Sequence, residues 1–139
     1  MKVILDSAVF INAISFPFSA QNEYVMPSPC EREVRETLAK LRLESALSQN
    51  DNFNIVDPCA ASIANVRRVA LRRGVSGLSD ADEHILGLAL ESKDRGEPVR
   101  VFTDDYSIQN LLKWEKIPFS GILQKGVEKK RSFRTSSKP

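Results

Sequence analysis

The chain has 139 residues, of which 42% are hydrophobic and 27% charged, and its net charge is +2. These proportions are typical of one globular domain and exclude a disordered or fibrous chain. The longest apolar stretches fall short of the roughly 18 residues that span a bilayer, and the first residues do not resemble a secretory signal, so we expect a cytoplasmic protein with no membrane partner.

The first third of the sequence predicts a strand, a loop and a long helix. Lys2 to Leu5 is a short aliphatic and β-branched run, typical of a buried strand, and residues 16–22 are predicted to form a loop. Ser28 is a predicted N-cap, followed by proline at the first helical position and a capping-box glutamate, which predicts a helix running to about Ser48. Its predicted apolar face carries Val34, Leu38 and Leu41.

The rest of the sequence alternates strands and helices. A strand is predicted at Phe53 to Val56, followed by a helix that Asp57 caps and that runs to Gly74. A further helix is predicted to be capped by Ser79 and to end before Gly96. Val99 to Phe102 predicts a further strand, followed by a helix with Ile108, Leu111 and Leu112 on one face and a last strand within 117–122. This alternation predicts an α/β fold with a mostly parallel sheet.

The charge distribution divides the chain into two parts. Residues 125–139 carry six basic residues against one glutamate, whereas the remainder has a net negative charge. We therefore expect a domain over residues 1–124 and a basic tail over 125–139 that is either an RNA-binding arm or a solvated terminus. The two cysteines, Cys30 and Cys59, show no CxxC spacing, so we expect reduced thiols and no zinc site.

Acidic residues occupy the positions where parallel sheets bind ligands, beyond the carboxyl ends of the strands. Asp6 directly follows the first strand, and Asp104 and Asp105 follow the strand at 99–102. Asp82 heads the apolar stripe of its helix, so it is either an N-terminal cap or part of a buried acidic site. Two unit charges about 4 Å apart repel by roughly 4 kcal/mol at an effective dielectric near 20. A cluster of these carboxylates therefore indicates a hard cation such as Mg²⁺ or Mn²⁺.

The ordered acidic motifs resemble those of the PIN domain, a family of metal-dependent nucleases. They are Leu5-Asp6-Ser7, then Glu33, then Leu78-Ser79-Asp80-Ala81-Asp82, then Thr103-Asp104-Asp105-Tyr106. The resemblance implies a three-layer α/β/α fold and a catalytic set of Asp6, Glu33, Asp82, Asp104 and Asp105. Within that set it implies Asp6 and Asp82 as the main ligands of Mg²⁺ or Mn²⁺, with Ser7 and Thr103 as supporting hydroxyls. The family pattern of Thr, any residue, Asp favours Asp105 as the inward carboxylate, whereas the strand-end argument favours Asp104.

Residues 101–110 are also similar to the Nob branch of PIN proteins, endoribonucleases that mature the 3′ end of small-subunit ribosomal RNA. This likeness implies ribosomal precursor RNA and the small ribosomal subunit as partners. Nob proteins continue into a Cys-rich zinc ribbon, whereas residues 126–139 contain no cysteine, so the compact VapC-type toxin ribonucleases are the alternative. A non-catalytic PIN-like scaffold for RNA or protein is a further alternative, and the family resemblance suggests a homodimer.

Several basic and aromatic residues are candidates for contact with RNA. Tyr106 lies beside the acidic motif and could stack on a base. The arginines of the helix at 57–74 could bind the phosphate backbone, although a solvated helix face explains them equally well. The candidates are Tyr106, Arg67, Arg68, Arg72, Arg73, Lys129, Lys130 and Arg131.

Overall fold

The computed structural model describes residues 1–122 and the backbone of residues 128 and 129. A five-stranded sheet forms the centre, and all of its strand pairs are parallel. In spatial order its strands are β4 (Phe53–Ile55), β3 (Glu23–Met26), β1 (Lys2–Leu5), β5 (Val99–Phe102) and β6 (Phe119–Ser120). The α/β fold with its parallel sheet is confirmed, and β1, which precedes Asp6, is the central strand.

Helices cover both faces of this sheet. On one face α5 (Asp80–Asp94) packs against β1 and β5 and contacts α4 (Ala60–Arg72) and α6 (Tyr106–Trp114). On the other face α1 (Ala8–Asn12) contacts α3 (Thr37–Gln49), which also contacts β4. Right-handed crossovers between parallel strands place these two groups on opposite faces, which gives the expected three layers.

The core beneath α1 and α3 is rich in aromatic rings. Phe10 of α1 stacks on Phe53 of β4 with ring centroids 5.9 Å apart, and Phe16 meets Phe102 of β5 edge-to-face at 5.2 Å. Such pairs add to the stabilisation that comes from apolar burial. The loop at residues 16–22 thus covers part of the sheet that α3 leaves open.

The predicted long helix from Ser28 to Ser48 is wrong. Two helices occupy this segment, α2 (Ser28–Glu33) and α3 (Thr37–Gln49), separated by residues 34–36. Glu36 caps α3 by accepting hydrogen bonds from the backbone N–H groups of Leu38 and Ala39. This restart changes the buried face to Ala39 and Leu43, so Leu38 and Leu41 are exposed.

The predicted caps of α2, α4 and α5 had different outcomes. Ser28 does not cap α2, because its backbone N–H and hydroxyl donate to the Asp57 carboxylate at 2.7 and 2.8 Å, which also removes Asp57 as a cap of α4. The capping box of α5 is confirmed, since Ser79 Oγ accepts from the Asp82 N–H and Asp82 Oδ2 accepts from the Ser79 N–H. Gly74 follows α4 with a φ of +70°, which favours glycine at that helix end.

Four short elements were not predicted from the sequence. They are α1, β3, and an antiparallel pair formed by β2 (Ala13–Ser15) and β7 (Glu128–Lys129). Each has at most five residues. The last strand is also shorter than predicted, with β6 limited to Phe119 and Ser120.

Within the described residues, no helix is long and apolar enough to cross a membrane. The basic tail predicted at 125–139 lies outside the described residues, except for the backbone of Glu128 and Lys129 in β7. The proposed boundary at residue 124 therefore stays a prediction.

Candidate active site

Asp6 lies at the carboxyl end of the central strand and is held there by hydrogen bonds from Ser7 and Thr103. Its Oδ1 accepts from the Ser7 N–H at 2.6 Å and from the Ser7 hydroxyl at 3.2 Å, and its Oδ2 accepts from the hydroxyl of fully buried Thr103 at 2.8 Å. Burial raises the pKa of Asp6, the charge of Glu33 raises it further, and the hydrogen bonds from Thr103 and Ser7 oppose the shift. The side chain is thus fixed in place but costly to keep charged.

Ser7 joins Asp6 to a second carboxylate. Its hydroxyl lies 2.9 Å from Glu33 Oε1, so Glu33, at the last position of α2, faces the centre although helical periodicity did not place it there. Because a hydroxyl has a single proton, only one of the two carboxylates can receive it at a time. Glu33 is the nearer acceptor, and the Asp6 carboxylate keeps the stronger backbone donor.

Cys30 is a third member of this centre that the sequence did not reveal. It lies on α2 three residues before Glu33 and is fully buried, with Sγ 4.0 Å from Asp6 Oδ1. Burial raises the pKa of the thiol, and the negative charges of Asp6, Glu33 and Asp82 raise it further, so Cys30 is a neutral thiol at physiological pH. The spacing Cys30-x-x-Glu33 was the available signal, because residues three apart share one helix face.

Asp82 caps α5 and also faces the acidic centre. Its Oδ2 accepts from the Ser79 N–H at 3.0 Å, so the capping alternative is realised. Burial raises its pKa, and the charges of Asp105 and Glu83 add to the shift, while the bonds from Ser79 oppose it. Asp82 also contributes to the raised pKa of Cys30, which indicates electrostatic contact between α5 and the Asp6 side of the centre.

Asp104 and Asp105 point to different partners. Asp104 Oδ1 accepts from the Ile122 N–H at 2.9 Å and so connects the end of β5 to the segment after β6. Asp105 Oδ1 caps α6 by accepting from the Ile108 N–H, and the charge of Asp105 acts on Asp82. Of these two carboxylates, Asp105 is the one whose charge acts on Asp82, so its role as the inward carboxylate stays a prediction.

The proposed RNA contacts are only partly available. Arg67 forms a bidentate ion pair with Glu83 at 3.0 and 3.1 Å, and Arg73 stacks over Trp114 with 5.4 Å to the ring centroid. Tyr106 is 81% exposed at the start of α6, next to Asp105. Arg68 and Arg72 are exposed, whereas Lys130 and Arg131 lie outside the described residues and Lys129 is described only as backbone.

The donor atoms of the centre fit a divalent cation. Among the described residues, one carboxylate oxygen each from Asp6 and Glu33 and the sulfur of Cys30 lie within 4.8 Å of one another. Carboxylate oxygens are the ligands that Mg²⁺ and Mn²⁺ prefer, and a cation would offset the burial and the Glu33 charge that raise the pKa of Asp6. Asp82 is not a member of this group, although Asp6 and Asp82 were the predicted pair of main ligands.

Comparison with known proteins identifies relatives across most of the chain. Residues 3–91 match the family described as the PIN domain of ribonuclease. Endoribonuclease Nob1 of Methanothermobacter thermautotrophicus is 34% identical over 135 residues, covering 96% of this chain and 76% of that protein. Nob1 of Archaeoglobus fulgidus is 35% identical over 79 residues, which cover 56% of this chain and 48% of that protein. Ribonuclease VapC3 of Aeropyrum pernix is 33% identical over 112 residues, covering 78% of this chain and 77% of that protein.

Solved structures share the fold at low sequence identity. A chain of VapBC2 from Rickettsia felis, bound to a DNA fragment from their promoter, aligns with a TM-score of 0.57 and 15% identity over 87% of this chain and 98% of that one. A chain of VapBC-1 from nontypeable Haemophilus influenzae aligns with a TM-score of 0.50 and 10% identity over 88% of this chain and 98% of that one. These alignments agree with the parallel sheet and flanking helices. The family match and the Nob1 and VapC3 relatives show that the chain belongs to the PIN domain family of ribonucleases.

Proposed function

We propose that this chain is a metal-dependent endoribonuclease that matures the 3′ end of small-subunit ribosomal RNA. The observation that carries the proposal is the Asp6 carboxylate, held at the carboxyl end of the central strand by Ser7 and Thr103 with Glu33 beside it. The two Nob1 relatives, both named endoribonucleases, favour this substrate. We also propose that the protein acts in the cytoplasm, that it works on the small ribosomal subunit, and that it forms a homodimer.

The residues divide the work of hydrolysis among them. Asp6, Glu33 and Asp82 would hold one or two Mg²⁺ or Mn²⁺ ions, with Asp105 completing the acidic set. When bound, the ion supplies a Lewis acid for the phosphodiester and a water of lowered pKa. Ser7 and Thr103 restrain the carboxylates, which keeps the site in one geometry and reduces the reorganisation that the reaction requires. The proposed products carry 3′-hydroxyl and 5′-phosphate ends.

A VapC-type toxin ribonuclease is the second candidate function. The observation that favours it is the similarity to ribonuclease VapC3, of which this chain covers 77%. Cleavage of a labelled RNA spanning the small-subunit 3′ end, compared with unrelated RNA of equal length, separates the two functions. Selective cutting at the mature end supports maturation, and efficient cutting of the unrelated RNA supports the toxin. If neither RNA is cut and no metal binds, the chain is a non-catalytic scaffold.

Asp82→Asn should lower the rate of metal-dependent cleavage by about 100-fold or more, the scale of losing one group that stabilises charge in a transition state. Asparagine can still accept the hydrogen bond from the Ser79 N–H, so helix capping is retained. Asp94→Asn is the matched control, because Asp94 is an exposed carboxylate near the opposite end of the same helix. Single-turnover cleavage with Mn²⁺ measures both variants, and equal rates for Asp82→Asn and Asp94→Asn would remove Asp82 from the site.

Asp105→Asn should slow cleavage more than Asp104→Asn does. The charge of Asp105 acts on Asp82, whereas Asp104 accepts a hydrogen bond from the Ile122 N–H. Asparagine at position 105 can still cap α6, so the two variants should unfold at similar temperatures. Rates and Tm values measured side by side test this assignment, and the reverse order of rates would assign the inward role to Asp104.

Asp6→Asn should raise the Tm of the metal-free protein at pH 7, and this gain should shrink as the pH falls toward the ordinary aspartate value of 3.8. The pKa of Asp6 is raised on folding, so the folded state binds this proton more tightly than the unfolded chain does. The ionised carboxyl therefore lowers stability as the pH rises from below 3.8 through the raised pKa.

Mn²⁺ should raise the Tm of the wild type but not of Asp6→Asn, because a ligand stabilises only the state that binds it. Calorimetry with chelator and with Mn²⁺ measures both effects, and an equal response to Mn²⁺ would place the cation elsewhere.

Replacing Lys129, Lys130 and Arg131 together by glutamine should weaken RNA binding and flatten its salt dependence. For single-stranded nucleic acid, the slope of log Kobs against log salt concentration becomes less negative by about 0.7 for each phosphate that the protein no longer neutralises. Arg68→Gln with Arg72→Gln is the comparison, because these arginines are exposed on α4. Binding isotherms measured with chelator, which removes the metal needed for the proposed cleavage, at several salt concentrations give the slopes. An unchanged slope for the tail variant, with a reduced slope for the α4 variant, would transfer the RNA-binding role to α4.

A further inference from the structure

Helix α6 carries two aromatic side chains on its solvent-facing side. Tyr106 is 81% exposed at the start of the helix, and Trp114 at its end is 42% exposed although the Arg73 guanidinium lies over its ring. The opposite side of the helix buries Ile108, Leu111 and Leu112. Large aromatic rings stabilise a complex most when a partner covers them, so two exposed rings on one helix indicate a binding surface.

Two polar residues, Asn110 and Lys113, lie between the two rings. Positions 106, 110, 113 and 114 follow the helical period and share one face, and all four residues are exposed. A rise of about 1.5 Å per residue places Tyr106 and Trp114 about 12 Å apart along the helix axis. We call these four residues the outer face of α6, and it combines flat rings with polar and cationic groups.

The charge around the outer face of α6 is positive. Among the described residues, no carboxylate forms an ion pair with Arg73 or Lys113. The acidic residue that follows Trp114 in sequence, Glu115, is held by Lys93 at 3.3 Å. Phosphate groups complement such unpaired cations, whereas the centres of protein interfaces are depleted in lysine. The face therefore fits a nucleic acid better than a second protein.

One end of the outer face lies at the acidic centre. Tyr106 directly follows Asp105, which caps α6 beyond the carboxyl end of β5, and Thr103 at that strand end donates to Asp6. The helix runs away from this point, so Trp114 marks the far end of the face. A strand of nucleic acid bound along α6 is therefore directed toward the carboxylates.

We propose that the outer face of α6, together with Arg73, binds a single-stranded segment of RNA that adjoins the scissile bond. Tyr106 and Trp114 each stack on a base, and Arg73 and Lys113 neutralise phosphates near the far ring. A strand with stacked bases rises about 3.4 Å per nucleotide, so about three or four nucleotides span the two rings. The position of the segment beside the cleaved bond rests on the proposed function, whereas binding of RNA by this face is independent of cleavage.

The test uses the intrinsic fluorescence of Trp114, which is the only tryptophan of the chain. With chelator present to prevent cleavage, the full chain is titrated with a short single-stranded RNA and with the same RNA annealed to its complement. We expect the single strand to quench the emission, because an unpaired base can stack on the indole, and the duplex to quench it much less. The anisotropy of a label on the RNA measures binding independently.

Substitutions on the outer face give the size of the effect. Tyr106→Ala and Trp114→Ala should each weaken binding of the single strand by about 5- to 150-fold, the range that loss of one base–aromatic stack produces. Lys113→Gln should make the slope of log Kobs against log salt concentration less negative by about 0.7. Lys40→Gln and Leu41→Ala are the matched controls, because both residues are exposed on α3, at the opposite face of the sheet. Both controls should bind like the wild type.

Three results would overturn the proposal. The first is RNA that binds without quenching Trp114, and the second is RNA that binds Tyr106→Ala as tightly as the wild type. The third is emission that changes with protein concentration but not with RNA, which would make the face a contact between two copies of the chain. Circular dichroism verifies folding of each variant, and Tyr106→Ala decides the test if Trp114→Ala does not fold, because Tyr106 is 81% exposed.

The failure of this proposal is distinguishable from the failure of the proposed function. If the wild type cleaves RNA with Mn²⁺ and both alanine variants keep its KM, the nuclease stands and the α6 surface is wrong. If quenching occurs and depends on Tyr106 while no RNA is cleaved with Mn²⁺, the α6 surface stands and the nuclease is wrong. If both proposals hold, Trp114→Ala should raise KM and leave kcat nearly unchanged, because Trp114 is remote from the bond that breaks.

Discussion

The acidic centre depends on keeping one partly buried carboxylate charged at the carboxyl end of the central strand. Burial alone raises the pKa of Asp6, and the nearby Glu33 charge adds to the penalty. The backbone N–H of Ser7 and the hydroxyl of Thr103 lower the pKa of Asp6, and each donates to a different oxygen of the carboxylate. Thr103 reaches Asp6 because β1 and β5 are adjacent parallel strands in register, with Leu5 opposite Phe102.

The division of the segment after β3 into two helices has a comparable effect on Glu33. Because α2 ends at residue 33, the side chain of Glu33 belongs to the last turn and contacts Ser7 beyond the carboxyl end of β1. The following residue, Val34, is buried, and α3 restarts with its own cap at Glu36. A continuous helix would have kept the apolar positions 34, 38 and 41 on one face. Because the helix breaks, Glu33 can contact Ser7 while α3 buries Ala39 and Leu43.

The sequence predicted the parts of this structure that repeat a clear period or carry a strong cap. The strand at 2–5, the box of Ser79 and Asp82, and the strand at 99–102 all have local signals, and the structure contains them. Glu33 and Cys30 carried only the weak signal of their spacing by three, because their positions follow from a helix break and from long-range contacts with Ser7 and Asp6. The choice between Asp104 and Asp105 likewise depended on the backbone after β5, where the first bonds to Ile122 and the second acts on Asp82. The helices at 28–33 and 37–49 were merged because apolar residues at 34, 38 and 41 imitate one uninterrupted face.

The hydrogen bond between Thr103 and Asp6 joins positions 97 residues apart in sequence, so the centre is divided between the two ends of the domain. During synthesis, β1 emerges from the ribosome early, whereas β5 becomes available only when most of the domain has been made. Asp6 can therefore receive the hydrogen bond from Thr103 only after the segment that follows β5 has been made. A growing chain that has not reached residue 103 contains Asp6 without the Thr103 hydroxyl that restrains its carboxylate. The same long-range closure makes assembly of the centre a slow step relative to local helix formation, because non-local strand pairing requires closing a long loop first.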